Sequence, residues 1–377
     1  MTFATRRGLP LVAAILGTLA LAWPAVALTW TAPVNAVSPT TEHSAFASGI
    51  VAIDDSTLVV NYVRGGQVYT RQSADNGATW HEPVRLSPND PSYWRSEIAS
   101  YGSAVGVVMG TSPDIRYARS TDGGATFSPS IALASQTTTP TTPHLAHGPG
   151  GLVAVVWTRR DHPNLFIRVS RDDGVTWDAR QIVRPDTYTE ELAVAIGDTG
   201  ISVVVGTAEG MQLRQSADGI TWGAWKNLGS LGMPTLGGGP TLSASGMQIA
   251  VGYAVSTSDG MAPTYKLSRD GGATWSKGIR VAKGAANVTA PHVLLEGAKL
   301  RVIYGSGDCS TNGCRLATYY RAKTASGWTI PKMLSPKPLY WSFPTGLVFS
   351  DRVVACYVYY PNDSGMGEYI QVRTGGT

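Results

Sequence analysis

The chain has 377 residues, with 43 Gly, 23 Pro, 11 Trp, only 15% charged residues and a formal net charge of +4. A hydrophobic share of 43% excludes a disordered chain, and low charge with abundant Gly and Pro excludes a coiled coil. Lys and Arg are scattered rather than clustered, which excludes a nucleic-acid partner read from a basic footprint.

Residues 1–27 read as a secretory signal. Arg6 and Arg7 give a positive start, Leu9 to Trp23 is apolar but short for a bilayer, and Ala25-Val26-Ala27 has the small-x-small pattern of a cleavage site. Cleavage near Ala27 leaves 28 of the 30 basic residues against 26 acidic ones. The expectation is a secreted or periplasmic protein, monomeric, with one domain over 28–377 and no membrane span. Export implies an oxidising compartment. Cys309 and Cys314, in Cys-Ser-Thr-Asn-Gly-Cys, predict a loop disulfide. Cys356, in an apolar run, predicts a buried free thiol. The cysteines lack zinc spacing, so no metal and no cofactor are expected.

One phrase then recurs along the chain. It is Ser73-Ala-Asp75-Asn-Gly77-Ala-Thr79-Trp80, and it returns around Asp122 to Phe127 and Asp172 to Trp177. It returns again, one residue shorter, around Asp218 to Trp222, and in full around Asp270 to Trp275. A worn copy ends at Trp328. Asp and Ser can bond turn amides, Gly supplies a positive φ, and the aromatic is predicted to pack between repeats. Each phrase is expected to join a third strand to an outer fourth strand. Val-rich second strands are predicted at Leu58–Tyr62, Val105–Met109, Leu152–Trp157, Ile201–Val205, Ile249–Tyr253, Leu300–Tyr304 and Val353–Tyr357, which makes seven units.

The two chain ends complement one another. Trp30 opens an outer strand with no three strands before it, and residues 343–373 hold three strand patterns with no outer strand after them. The predicted fold is all-β: a seven-bladed β-propeller closed by the N-terminal strand, which hides the sheet edges.

The repeated phrase resembles the Asp-box, or bacterial neuraminidase repeat, and the chain resembles the sialidase-like propeller superfamily over residues 28–377. The resemblance implies a propeller and a glycan-related role. It also implies that Asp75, Trp80, Asp122, Phe127, Asp172, Trp177, Asp218, Trp222, Asp270 and Trp275 are structural, on the face away from the site. Family sialidases have six blades, the alternative count here, with an Arg-Ile-Pro motif opening the first inner strand and an Arg triad gripping a carboxylate. The matching stretch in this chain is Ser44-Ala-Phe-Ala-Ser48, without that motif. Tyr188 beside Glu190 and Glu191 could imitate the family's Tyr–Glu nucleophile pair.

The opposite face is the expected ligand site. The inner strands are expected to start near Ser48, Glu97, His144, Glu191, Thr241, His292 and Thr345, entry positions at which polar residues dominate. These groups could perform acid–base work or simply satisfy backbone atoms. Tyr93-Trp94-Arg95 and Tyr340-Trp341 suit a sugar face or inter-blade packing, and Arg160 in the blade-three loop could hold an anion. The predicted contacts are Trp94, Arg95, Glu97, His144, Arg160, Glu191, His292 and Trp341. The partner is a glycan or surface polymer; the other readings are a glycoside hydrolase using Glu97, Glu191 or Tyr188, and a non-catalytic extracellular scaffold.

Overall fold

The computed structural model describes residues 28–38, 46–88, 93, 95–111, 114–135, 143–159, 163–189, 191–207, 209–230, 239–297, 299–310, 313–335, 339–340, 344–359 and 369–376. Residues 1–27 and the signal assigned to them lie outside this set.

The expected second strands all recur, because Val- and Ile-rich runs favour a pleated, buried surface. Blade one is Phe46–Ala52, Leu58–Arg64, Gln67–Ser73 and Val84–Arg85. Blades two to five each form one antiparallel four-stranded sheet, with inner strands Arg95–Tyr101, His144–His147, Leu192–Gly197 and Thr241–Ser245. Blade six is built on His292–Glu296, and blade seven on Thr345–Val348, Arg352–Tyr359 and Tyr369–Gly376. Consecutive inner strands touch all the way round, with blade seven returning to blade one. The count is therefore seven, not the alternative six.

The N-terminal segment closes the ring. Val34–Val37 pairs antiparallel with Tyr369–Gly376, Val34 opposite Val372 and Val37 opposite Ile370. Thr29–Trp30 pairs with the last residues of the same strand.

Seven apolar clusters fill the spaces between blades. Each takes residues from two adjacent blades and receives one closing aromatic: Phe127 between blades one and two, Trp177 between two and three, Trp222 between three and four. Trp275, Trp328, Trp30 and Trp80 continue the series around to blade one. These rings are half-buried rather than fully buried.

The Asp-box turns behave as hydrogen-bond knots. Asp172 accepts from the Thr176 amide at 2.8 Å and from its hydroxyl at 2.6 Å, while the Ser170 hydroxyl donates to Asp172 and accepts from the Gly174 amide at 2.9 Å. Asp75, Asp122 and Asp270 repeat this pattern, and the short copy holds Asp218 through the Ile220 and Thr221 amides. Bonding to Thr79 and Thr176 pulls Asp75 and Asp172 down to about 2. Gly174 has φ of +83° and lies against Tyr117 of blade two, so that even a Cβ would collide there.

A second repeated device escaped the sequence reading. Arg214 of blade four donates to Gly223 and Trp222 carbonyls of its own blade and reaches the Val183 carbonyl of blade three at 2.6 Å. Arg71, Arg168, Arg321 and Arg373 do likewise in blades one, three, six and seven, reaching Ala36, Leu133, Val281 and Leu334 of the preceding blade. A guanidinium carries several donors in a fixed fork, so one side chain ties two outer segments together. In three blades this Arg stands two residues before the Asp-box Ser; blades two and five have Ala118 and Lys266 there.

Candidate functional site

The inner strands begin at the face opposite the Asp-boxes, and their register sets the height of every polar group. Counted up from the turn of each inner hairpin, Glu97, His144, Thr241, His292 and Thr345 all stand fifth, opposite Val108, Val156, Gly252, Ile303 and Cys356. They form one layer of the central channel. Two expected members do not belong to it. Gly49 stands at this height in blade one, with the bulge at Ser48 just above it, and Ala193 occupies it in blade four. Glu191 lies two residues higher, its carbonyl accepting from the Gly206 amide at 2.7 Å. A rise of roughly 3.3 Å per residue lifts it about 7 Å above the layer, on the same strand face. Glu97 and Glu191 therefore do not face one another at one level.

The layer is largely spent on the wall itself. Glu97 accepts from the Leu145 amide of blade three at 2.5 Å and lies 3.5 Å from His144 Nδ1. His292 Nδ1 accepts from the Gly346 amide of blade seven at 3.2 Å, with the Thr345 hydroxyl at the same distance. Thr241 donates to the Pro291 carbonyl of blade six at 2.6 Å. Each side chain satisfies backbone on the next inner strand, whose channel-facing edge has no fifth strand to pair with. His144 Nε2 is buried without a partner.

His292 is half-buried at the head of its inner strand. That burial lowers its imidazole to about 4, against a weaker upward pull from Glu97. The unfolded ring titrates near 6.5, so the folded protein resists protonation. Stability should be at its full value above pH 6.5, fall as pH drops from about 6.5 to 4, and lose no more from this group below that. In His292→Asn the amide oxygen can take over the acceptor role, so this part of the acid slope should vanish. Denaturant unfolding from pH 7 to 4 checks it; an unchanged slope would remove His292 as the cause.

Above the layer, Glu191 is half-buried, and burial raises its carboxyl above the usual range. Its amide donates to the Thr189 hydroxyl at 2.9 Å, and the Thr158 hydroxyl of blade three holds the Thr189 carbonyl at 2.6 Å. Tyr188 is half-buried in this pinned segment. Arg95 is exposed at the first position of its strand. Tyr93 is buried in the cluster between blades one and two, where it serves packing rather than a sugar face. Trp94, Arg160, Trp341 and Glu190 lie outside the described residues.

Among the described residues, no group of three or more His, Cys, Asp or Glu side chains could hold a metal ion, and no helix is long and apolar enough to cross a membrane. Cys356 is a buried free thiol pushed up to about 12 by burial. Cys309 and Cys314 stand opposite one another in the blade-six hairpin. Opposed Cα atoms are about 4.5–5.5 Å apart, which a disulfide can bridge; the disulfide is a proposal resting on that register.

No protein-family model and no curated protein sequence matches the chain. Several solved structures do resemble it. An ulvan lyase representing a new polysaccharide lyase family aligns over 91% of this chain and 94% of its own, at 11% identity and a TM-score of 0.56. An α-L-arabinofuranosidase of Fusarium graminearum aligns over 91% and 97%, at 13% identity and 0.53. A leech intramolecular trans-sialidase aligns over 91% and 70%, at 12% identity and 0.51. At such identities the likeness is one of fold, and the chain is a seven-bladed β-propeller similar in architecture to these sialidase, arabinofuranosidase and lyase structures.

Proposed function

We propose that this is an exported propeller whose funnel face binds a glycan or surface polymer without efficient sialidase turnover. One observation carries the reading. Glu97, Thr241 and His292 lower in the funnel are committed to backbone, while among the described residues Arg95 is exposed and Glu191 half-buried nearer the rim. A rigid wall below and uncommitted polar groups above make a ligand platform. The similar folds lend support: one is a lyase described as bound to -[GlcA(1-4)Rha3S]-. The first inner strand lacks the Arg-Ile-Pro motif, and without an Arg clamp a sialic acid carboxylate would be poorly oriented for attack.

The test is a glycan array beside a panel of fluorogenic glycosides that includes a sialoside. Array binding with no sialoside turnover is expected; efficient sialoside turnover would overturn the reading. A glycoside hydrolase is the second reading. The raised Glu191 carboxyl favours it, because a general acid must keep its proton. Turnover of a neutral glycoside that disappears in Glu191→Gln would put it first.

A further inference from the structure

Three blades carry a Tyr at one height of the third strand: Tyr117 opposite Val108, Tyr265 opposite Gly252 and Tyr320 opposite Ile303. Each ring meets the closing aromatic of the next blade edge-on, Trp177, Trp328 and Trp30 in turn. Their hydroxyls are treated differently. That of Tyr320 bonds Arg301, which stands opposite Leu294, third from its inner turn. Blade two has Gly106 at that third position, opposite Ala99. Of the three hydroxyls, only that of Tyr117 is buried without a partner. It is cradled by two glycines: a Cβ at Gly106 would stand 2.5 Å from the oxygen, and one at Gly174 of blade three 2.7 Å. A buried hydroxyl left unbonded is unfavourable, and Phe would fill the same place without that cost.

A second unpartnered atom belongs to the same seam. His147 stands two residues from Leu145 on the inner strand of blade three, so both project from one strand face, and Leu145 shares the cluster between blades two and three with Tyr117. His147 Nε2 lies 2.9 Å from Asp173 Oδ1. A carboxylate only accepts, so Nε2 carries the proton and Nδ1 is left as an acceptor. Nδ1 is buried without a partner, in a side chain with no exposed surface. His147 is second from its turn and Gly106 third from its own, a difference of about 3.3 Å in height. Asp173, which holds the imidazole, and Gly174, which lies against the phenol, are consecutive residues. The Trp177 indole beside them is already spent, donating to the Gly174 carbonyl at 3.2 Å. Burial pushes the Tyr117 phenol up and the His147 imidazole down, the latter against the pull of Asp173, so both groups are kept neutral. We propose that one water molecule is bound in the seam between blades two and three, accepting from the Tyr117 hydroxyl and donating to His147 Nδ1. Water offers the acceptor and the donor that these two atoms require, and it is small enough for a place bounded by two glycines. The chain Tyr117–water–His147–Asp173 then crosses an otherwise apolar seam and ends at a partly exposed carboxylate on the Asp-box face. This site is independent of any ligand at the funnel.

The test is a high-resolution crystal structure of the purified protein, with Tyr117→Phe studied beside the wild type in solution. Density for one water within hydrogen-bonding distance of both Tyr117 Oη and His147 Nδ1 is expected. Tyr117→Phe should raise the unfolding constant about fivefold, because the water loses its donor and Nδ1 its bridge. An unbonded hydroxyl makes the opposite demand: Phe would then remove a desolvated polar atom and stabilise the protein. Nitrogen-15 NMR supplies a readout that packing alone would not move. In Tyr117→Phe the His147 Nδ1 signal should shift toward that of an unbonded ring nitrogen, while Nε2 keeps its proton. The inference is overturned by any one of three results: no water between the two atoms, a Phe variant at least as stable as the wild type, or an Nδ1 signal that Tyr117→Phe leaves in place.

Discussion

A chain lacking residues 28–38 is expected to lose its cooperative unfolding transition and to self-associate. The segment serves three blades at once. Its Val34–Val37 stretch is the outer strand of blade seven, and Ala36 and Val37 are buried. Its Trp30 ring meets Tyr320 of blade six edge-on at 5.2 Å. Its Ala36 carbonyl accepts from Arg71 of blade one at 2.7 Å, and its Thr31 carbonyl accepts from Arg373 at 2.7 Å. Removing it strips the last strand of its partner, takes one carbonyl acceptor from each of two guanidinium groups and opens the cluster between blades seven and one. An eight-residue strand with a free edge is a template for pairing with another molecule. Val37→Asp is the milder form of the same test, placing a charge in that cluster; about 3 kcal/mol or more of lost stability is expected. Calorimetry and light scattering read both variants. A deletion variant that stays monomeric and melts with the wild type would show that the ring does not depend on this closure.

Much of this architecture was legible because it is periodic. The Asp-box phrase marks the same turn five times, and each second strand repeats an apolar run, so the number of blades and the closing segment follow from spacing. Three things were not legible, each for a physical reason. The Arg ties were in plain view as Arg71-Gln-Ser73, Arg168-Val-Ser170 and Arg214-Gln-Ser216. Their partners, however, are carbonyls about 30 to 40 residues earlier, and only blade packing brings these near. The height of the funnel residues depends on hairpin register rather than on spacing. The bulge at Ser48 lies just above the layer in blade one, so that Gly49 and not Ser48 stands in it. Spacing along the chain groups Glu191 with Glu97, but the register of their own hairpins puts Glu191 two residues higher. The third is commitment: a polar residue at a funnel mouth looks like a ligand contact until its bond to Leu145 or Gly346 is seen. Glu97 and His292 carry those bonds, whereas Arg95 and Glu191 do not.

The same distinction between what is conspicuous and what is buried governs the interface between blades two and three, where Trp157→Ala should be among the most damaging single changes in the protein. Trp177 carries the Asp-box signature and looks like the key ring. It is half-buried and meets Tyr117 edge-on at 4.9 Å. Trp157 bears no motif, yet it is completely buried in the second strand of blade three, stacked on Phe166 at 5.7 Å and packed with Val108 and Tyr117 of blade two. Truncating a fully buried Trp costs about 3–5 kcal/mol, because the lost transfer energy adds to the cavity left behind. Trp177→Ala should cost less, since part of its surface already meets water. The indole Nε1 of Trp157 has no hydrogen-bond partner, so its polar atom contributes no bond that Phe would forfeit. Trp157→Phe should therefore recover most of the loss, limited by the smaller ring. Urea unfolding of the three variants orders them: Trp157→Ala lowest, Trp177→Ala next, Trp157→Phe nearest the wild type. If Trp177→Ala proved the weaker protein, the Asp-box aromatic rather than the buried strand residue would hold these blades together.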